Sequence, residues 1–87
     1  MYNLVYTKRF KKQFKNLETN EQKLFARKMD LFIENELHPS LRTRKLQGNK
    51  SLYESSINKD IRIIWYYEDD LHIVLIEIGH HDILNKY

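Results

Sequence analysis

The chain has 87 residues, no cysteine and a formal net charge of +3. Its length suits one domain, residues 1–87, with a single hydrophobic core, and the lack of thiols excludes disulfides and thiolate metal sites. Its apolar runs are far shorter than the roughly 20 residues that span a bilayer, and no signal-peptide pattern opens it, so we expect a cytoplasmic protein with no membrane role.

Charge is distributed unevenly along the chain. Residues 1–50 carry twelve Lys and Arg against five acids, a net charge of +7, whereas residues 51–87 carry three against seven, a net charge of −4. The basic half is therefore the expected contact for a polyanion or an acidic partner, although Lys-rich helix faces are also common as solvated surfaces.

The first predicted elements are a strand and a helix. Apolar and polar residues alternate over Tyr2–Tyr6, which is typical of a short strand. Thr7 can then cap a helix whose apolar residues keep the i, i+4, i+7 spacing of one narrow face. Those residues are Phe10, Phe14 and Leu17. The rest of this helix is cationic.

A second, longer helix is predicted to begin with a capping box formed by Thr19 and Gln22. It ends before His38 and Pro39, because a residue that precedes proline disfavours the α region. Its apolar stripe is predicted to pack on the sheet as core, and consists of Phe25, Met29, Phe32, Ile33 and Leu37. A loop or edge strand over residues 40–45 follows.

The remaining β-rich segments are Leu52–Ile57, Ile61–Tyr67 and Leu71–Ile78. The last two are separated only by Glu68-Asp69-Asp70, so we predict adjacent antiparallel strands joined by a tight acidic turn. The order is β-α-α-β-β-β, with three or four antiparallel strands and a short C-terminal tail from Asp82. We therefore predict an α+β fold in which two N-terminal helices pack on one face of a small, mainly antiparallel sheet.

Arg62 stands at the centre of an apolar strand, where a guanidinium must reach solvent or meet an anion. Successive side chains of a strand point to opposite faces of the sheet, so Arg62 is placed on the face opposite the helices. We expect that face to be open. The chargeable residues expected around this face are Arg44, Lys45, His80 and His81. Such a face suits an RNA backbone. The spacing supports an alternative equally well, in which Arg62 pairs with Glu54 or Glu77 on the adjacent strands.

Motifs for other chemistries are missing. The sequence has no glycine-rich phosphate loop, no nucleophile elbow and no H-E-x-x-H pattern. His80 and His81 are adjacent and point to opposite sides of an extended strand, which makes a two-histidine metal site poor. We expect neither a metal nor a cofactor.

Several short segments occur together in a characteristic order after the two helices. They are Lys45-Leu46-Gln47-Gly48-Asn49, Tyr53, Ile57-Asn58, Arg62-Ile63-Ile64-Trp65-Tyr66 and Ile78-Gly79-His80-His81. With this set, nearly the whole chain resembles the RelE/ParE superfamily of small bacterial toxins, in particular the ribosome-associated mRNA interferases of the RelE, YoeB and YafQ kind.

The resemblance implies the toxin of a type II toxin–antitoxin system. Such a toxin would be a metal-independent endoribonuclease that cleaves mRNA in the ribosomal A site, inhibits translation and is neutralised by an acidic antitoxin. The ribose 2′-OH would attack the adjacent phosphate while an acid and a base move protons and cations stabilise the phosphorane.

The resemblance also implies roles for individual residues. Arg62 would stabilise the phosphate and His81 would act as acid or base, with Tyr87 and His80 completing the candidate catalytic set. The candidate RNA contacts are Arg44, Lys45, Lys50, Lys11 and Lys12.

Two departures from the family pattern leave the general base open. The lysines that some relatives place on the strand after the glycine loop are Glu54 and Ser56 here, and the acid or histidine that others carry before Leu-x-Gly is Arg44. Two other functions also stay open: a ParE-like gyrase poison without a nuclease site, and a non-catalytic basic module that docks an acidic partner.

Overall fold

The computed structural model describes the backbone of residues 1–87 and every side chain except those of Lys50 and Lys86. The fold consists of two α-helices, two short 3-10 helices (η) and five strands. In chain order they are β1 (Asn3–Tyr6), α1 (Lys8–Lys15), α2 (Thr19–Glu34), η1 (Pro39–Leu41), β2 (Arg44–Leu46), β3 (Asn49–Ser56), β4 (Ile61–Tyr67), β5 (His72–His80) and η2 (His81–Lys86). Among the described residues, no helix combines the length and the apolar character needed to cross a lipid bilayer.

The five strands form one sheet in the order β1-β5-β4-β3-β2. β1 runs parallel to β5, and the other neighbours are antiparallel. This confirms the predicted α+β class with a mainly antiparallel sheet. The edge segment before the glycine turn forms β2, so the sheet has four antiparallel strands besides β1.

The two α-helices bury their aromatic stripes against one face of this sheet. Phe10, Phe25 and Phe32 share a core with the β4 residues Ile63 and Trp65. Trp65 is fully buried and meets Phe32 edge to face, with ring centroids 5.2 Å apart. The apolar periodicity of both helices therefore predicted most of the core, but Leu37 was predicted wrongly, because it lies beyond the end of α2 and is 57% exposed. Ile33 is only half-buried.

Helix boundaries follow local side-chain caps. Thr7 caps α1 as predicted, because its Oγ1 accepts a hydrogen bond from the Phe10 N–H at 3.1 Å. The capping box of α2 was predicted one residue too late: Glu18 is the N-cap, and its N–H donates to Glu21 at 2.9 Å. α2 also ends earlier than predicted, at Glu34, because the next residue, Asn35, forms a turn with its side chain.

A β-bulge in β5 changes the face on which Glu77 lies. Ile64 pairs with Glu77 but Trp65 pairs with Leu75, so Ile76 is an extra residue on β5. Strict alternation would have placed Glu77 beside Leu75 on the core face. The extra residue instead turns Glu77 to the opposite face of the sheet, where it faces the same side as Ile64.

The face opposite the α-helices is covered, which corrects the prediction of an open face. The predicted tail forms η2, which packs on β5 and β4. Ile83 lies so close to Gly79 that a Cβ at Gly79 would be 2.6 Å from Ile83 Cγ2. Ile83 and Leu84 are half-buried there, and the burial of this apolar pair explains why the tail folds back.

Candidate functional site

A row of paired residues crosses four strands on the face covered by η2. Arg44 in β2 is opposite Glu54 in β3, Glu54 is opposite Ile64 in β4, and Ile64 is opposite Glu77 in β5. Glu54 is only 3% exposed and Glu77 is fully buried. Buried carboxylates require charged or hydrogen-bonding partners, so the surroundings of these two acids define the site.

Glu54 lies between two arginines. The Nε of Arg44 donates a hydrogen bond to Glu54 Oε1. The Nε of Arg62 lies 3.9 Å from Glu54 Oε2, an ion pair longer than a hydrogen bond. Oε2 is buried and accepts no hydrogen bond from any residue that the structure describes. One carboxylate therefore holds two guanidiniums near each other on the same face.

Arg62 is held by the turn between β3 and β4 and does not stand free on an open face as predicted. Its side chain is 17% exposed. Its Nη1 donates to the carbonyl oxygens of Asn58 and Lys59, at 2.7 and 2.8 Å. Within the described part of the chain its Nη2 makes no hydrogen bond, so two N–H donors remain for a ligand. Of the two pairings considered from the sequence, the one with Glu54 is present.

Glu77 is enclosed by α1 and η2. Gln13 Nε2 donates to Glu77 Oε1 at 3.2 Å, and Arg9 Nη1 lies 3.9 Å from Oε2. The hydroxyl of Tyr87, at the end of η2, also donates to Oε2. Burial, followed by the interactions with Glu77, raises the pKa of Tyr87 to about 12. Tyr87 is therefore protonated at neutral pH, so it can donate a proton or a hydrogen bond but cannot act as a base.

The two histidines diverge, as their adjacency predicted. His80 Nε2 lies 3.1 Å from Glu21 Oε2 on the side of α2. The pKa of Glu21 is lowered chiefly by the Glu18 N–H and further by His80. His81 begins η2, is exposed, and makes no hydrogen bond to a described residue. Arg62 pairs with Gly79. His81 therefore follows the position that pairs with Arg62 by two residues, while the side chain of His80 is directed toward α2.

The candidate RNA contacts divide into two groups. Arg44 and Lys45 line a cavity of about 210 Å³ together with Tyr87, between β2 and η2. Lys11 and Lys12 are on α1, in the other layer of the fold. The side chain of Lys50, also proposed as a contact, lies outside the described residues.

Two partners of Glu77, Gln13 and Arg9, were not predicted from the sequence. Gln13 also accepts the Ile78 N–H at 3.0 Å through Oε1, so it bonds both the backbone and the side chain of β5. A glutamate inside an apolar strand was the available signal. It did not identify the partners, because they come from a helix 64 residues away along the chain.

One group of chelating side chains occurs among the described residues, at the β4–β5 turn. The ligand atoms of Glu68, Asp69 and His72 lie within 4.8 Å of one another. Asp69 Oδ1 is already bonded to the Leu71 N–H at 2.8 Å and to His72 Nδ1 at 2.9 Å, and these two bonds lower the pKa of Asp69. The cluster is exposed and organises the turn.

Comparison with known proteins identifies the family. Residues 2–86 match the family model described as "Bacterial toxin of type II toxin-antitoxin system, YafQ". The fold is similar to YafQ from E. coli strain BL21(DE3), with a TM-score of 0.77 and 19% identity over 97% of this chain and 98% of that chain. The comparison with curated protein sequences found no significant match.

Two complexes contain chains of the same fold. In the E. coli DinJ-YafQ toxin-antitoxin complex the matching chain has a TM-score of 0.69 and 22% identity, over 95% of this chain and 96% of that one. In the archaeal RelE-RelB complex from Pyrococcus horikoshii OT3 the matching chain has a TM-score of 0.71 and 19% identity, over 91% of this chain and 93% of that one. These similarities support the RelE-like fold, and the family match covers almost every residue. The chain therefore belongs to the YafQ family of bacterial type II toxin-antitoxin toxins.

Proposed function

We propose that this toxin is an endoribonuclease that cleaves mRNA, in the ribosomal A site, without a metal ion. The observation that carries the proposal is the pair of guanidiniums, Arg44 and Arg62, held on either side of the buried carboxylate of Glu54. Arginine forks match phosphate geometry and remain charged at every physiological pH. These two arginines and the exposed His81, which directly follows β5, supply the charge stabilisation and the proton exchange that phosphate-ester cleavage uses.

The reaction would begin with attack of a ribose 2′-OH on the adjacent phosphorus. The P–O5′ bond breaks, the 2′-OH proton passes to a base, and the leaving 5′-oxygen takes up a proton from an acid. The products are a 2′,3′-cyclic phosphate and a 5′-hydroxyl. Arg62 and Arg44 would stabilise the negative charge that accumulates on the phosphorane oxygens.

We assign the proton exchange to His81. Imidazole exchanges protons near neutral pH, which neither guanidinium does. If Tyr87 takes part, it acts as a donor, because its raised pKa keeps the phenol protonated. Glu54 acts as a positioning residue, since its two oxygens hold the two arginines. Its own carboxylate is buried and therefore poorly accessible to the substrate.

The partner would be an acidic antitoxin. In the E. coli complex, YafQ is assembled with DinJ as a toxin-antitoxin pair. On this chain the best-suited surface is an apolar groove of about 350 Å³ beside α1, with Lys11 and Lys15 among the residues that line it. The aromatic part of its lining is Tyr6, Phe10, Phe14 and Phe25. An apolar floor with a cationic rim complements an amphipathic helix that carries acidic residues.

The test combines growth with a direct assay of RNA. Expression of the wild-type chain should arrest growth, and mapping of mRNA 5′ ends should reveal new cuts. Arg62→Ala should abolish the cuts while the protein stays folded. Arg27→Ala, which removes an exposed cation of α2 away from the arginine face, is the matched control and should cut normally. Growth arrest with intact mRNA and broken DNA would identify a gyrase poison instead, and unimpaired growth at high expression would contradict a toxin.

A further inference from the structure

A second cationic cavity lies on the other side of Arg62, between α2, η1 and the β3–β4 turn. Its volume is about 310 Å³. The lining residues are Lys28, Ser40, Arg42, Ser56, Ile57, Asn58, Lys59 and Arg62. Four of these eight residues are cations and none is an acid. The cavity is separate from the one beside Tyr87, with which it shares no lining residue. Three of its cations, Lys28, Arg42 and Lys59, lie outside the proposed cleavage site.

The three additional cations lack an acidic partner. Within the described part of the chain, Lys28, Arg42 and Lys59 form no ion pair, whereas Arg62 is tied to the turn carbonyls and lies near Glu54. Like charges gathered around one cavity repel each other, and an anion placed between them converts that repulsion into attraction.

Arg42 has an unusual backbone conformation. Its φ of 48° and ψ of 43° are left-handed, and it is the one non-glycine residue with a positive φ in the described chain. This conformation is unfavourable for residues with a Cβ, and it occurs here at the C-cap of η1, a position where helices commonly adopt it. Residues held in such conformations cluster at ligand-binding sites. Here the conformation places a cation at the edge of a cavity that already holds three others.

The neutral groups of the cavity are mostly donors. Asn58 Oδ1 accepts the N–H groups of Asp60 and Ile61, at 2.8 and 2.7 Å. The amide nitrogen of Asn58 bonds none of the residues that the structure describes, so its two N–H donors remain for a ligand. The hydroxyl of Ser56 and the Nη2 of Arg62 add further donors, whereas the Ser40 hydroxyl is already bonded to His38 Nδ1 at 3.0 Å. A set dominated by donors and cations matches a phosphate group, whose oxygens are acceptors.

We propose that this cavity binds a phosphate of the RNA backbone next to the one that is cleaved. The inference rests on the proposed function, because Arg62 would form the wall between the two phosphate sites. Lys28, Arg42 and Lys59 would hold the strand in register, so that the scissile phosphate meets Arg44 and Arg62. They act by binding and take no part in proton transfer.

The test measures how strongly RNA binding depends on salt. The probe is a short single-stranded RNA with 2′-O-methyl groups, which cannot be cleaved because its nucleophile is blocked. We compare wild type with Lys28→Gln/Arg42→Asn, in which asparagine tolerates the left-handed backbone. The matched control is Lys23→Gln/Arg27→Gln, which removes two exposed cations from α2 outside the cavity.

Loss of one phosphate contact on a single strand should reduce the slope of log K against log salt by about 0.7. We expect this change for the cavity variant, with about tenfold weaker binding at low salt, and no comparable change for the control. Equal changes in both variants would mean that only net charge matters and would overturn the proposal. A cavity variant that loses affinity for an acidic protein partner but keeps its RNA affinity and slope would also overturn it.

The two proposals can fail separately. If wild type binds the probe with the expected slope but never cleaves ribosome-bound mRNA, the nuclease proposal fails and the phosphate site stands. If wild type cleaves and the cavity variant binds with an unchanged slope, the phosphate site fails and the nuclease stands. An absence of RNA binding by the wild type would overturn the phosphate site outright.

Discussion

Gly79→Ala tests whether the packing of η2 on β5 positions His81. The added Cβ would lie 2.6 Å from Ile83 Cγ2, whereas carbon atoms in contact are normally about 3.5–4.0 Å apart. Because Cγ2 is attached directly to a branched Cβ, it cannot swing away like the end of a long side chain. We expect η2 to move outward by about 1 Å.

The expected stability loss is about 1–3 kcal/mol, as for other overpacked sites. For a domain of this size that corresponds to a melting temperature lower by roughly 5–20 °C. A displacement of about 1 Å in a catalytic group can reduce the rate about 100-fold. Thermal unfolding and single-turnover RNA cleavage, measured on the folded fraction, report the two effects.

The control uses Ile83→Leu, which moves the branch from Cβ to Cγ and removes the clashing methyl. Gly79→Ala/Ile83→Leu should regain most of the stability and cleavage that Gly79→Ala loses. If Gly79→Ala alone has wild-type stability and rate, the close contact with Ile83 does not position η2. If the double variant stays as impaired as Gly79→Ala, the impairment arises elsewhere.

Three further predictions address the histidines, Tyr87 and the apolar groove. His81→Ala should slow single-turnover cleavage by about 100-fold or more while RNA binding is nearly unchanged, and His80→Ala should have the smaller effect; equal wild-type rates in both would place the proton exchange elsewhere. Tyr87→Phe should lose about 1 kcal/mol at pH 7. The Tyr87 pKa is raised from 10 to about 12, so the wild type should lose this stability as pH rises through that interval, and the variant should lack that loss. Phe14→Ser should weaken binding of the acidic antitoxin at least about tenfold without slowing cleavage, and unchanged affinity in titration calorimetry would exclude the groove.

The fold could be predicted because its main signals are local. β4 has the predicted bounds, since a run of β-branched and aromatic residues between polar turns leaves little choice of conformation. The cover over the second sheet face could not be predicted in this way. The bulge at Ile76 and the packing of η2 depend on contacts between separate segments, and alternation alone gives the wrong face for Glu77.

The candidate site was predictable only where burial and charge conflict within one segment. Arg62 could be identified because a guanidinium in an apolar strand needs a partner. Its anchoring by Asn58 and Lys59 depends on the geometry of a turn. The cationic cavity lined by Lys28 and Arg42 was missed altogether, because these residues come from different elements and neither is unusual in its own sequence context.

The two departures from the RelE-like pattern turn out to be neighbours in space. Arg44 replaces an acid or histidine of some relatives, and Glu54 replaces a lysine of others. The two residues face each other across β2 and β3, and their side chains are bonded. The ion pair therefore links the two departures, and a substitution at either residue would also disturb the other. The cation that this pair places on the face is a guanidinium, which does not give up its proton and so cannot act as a base, and this is why we assign proton transfer to His81.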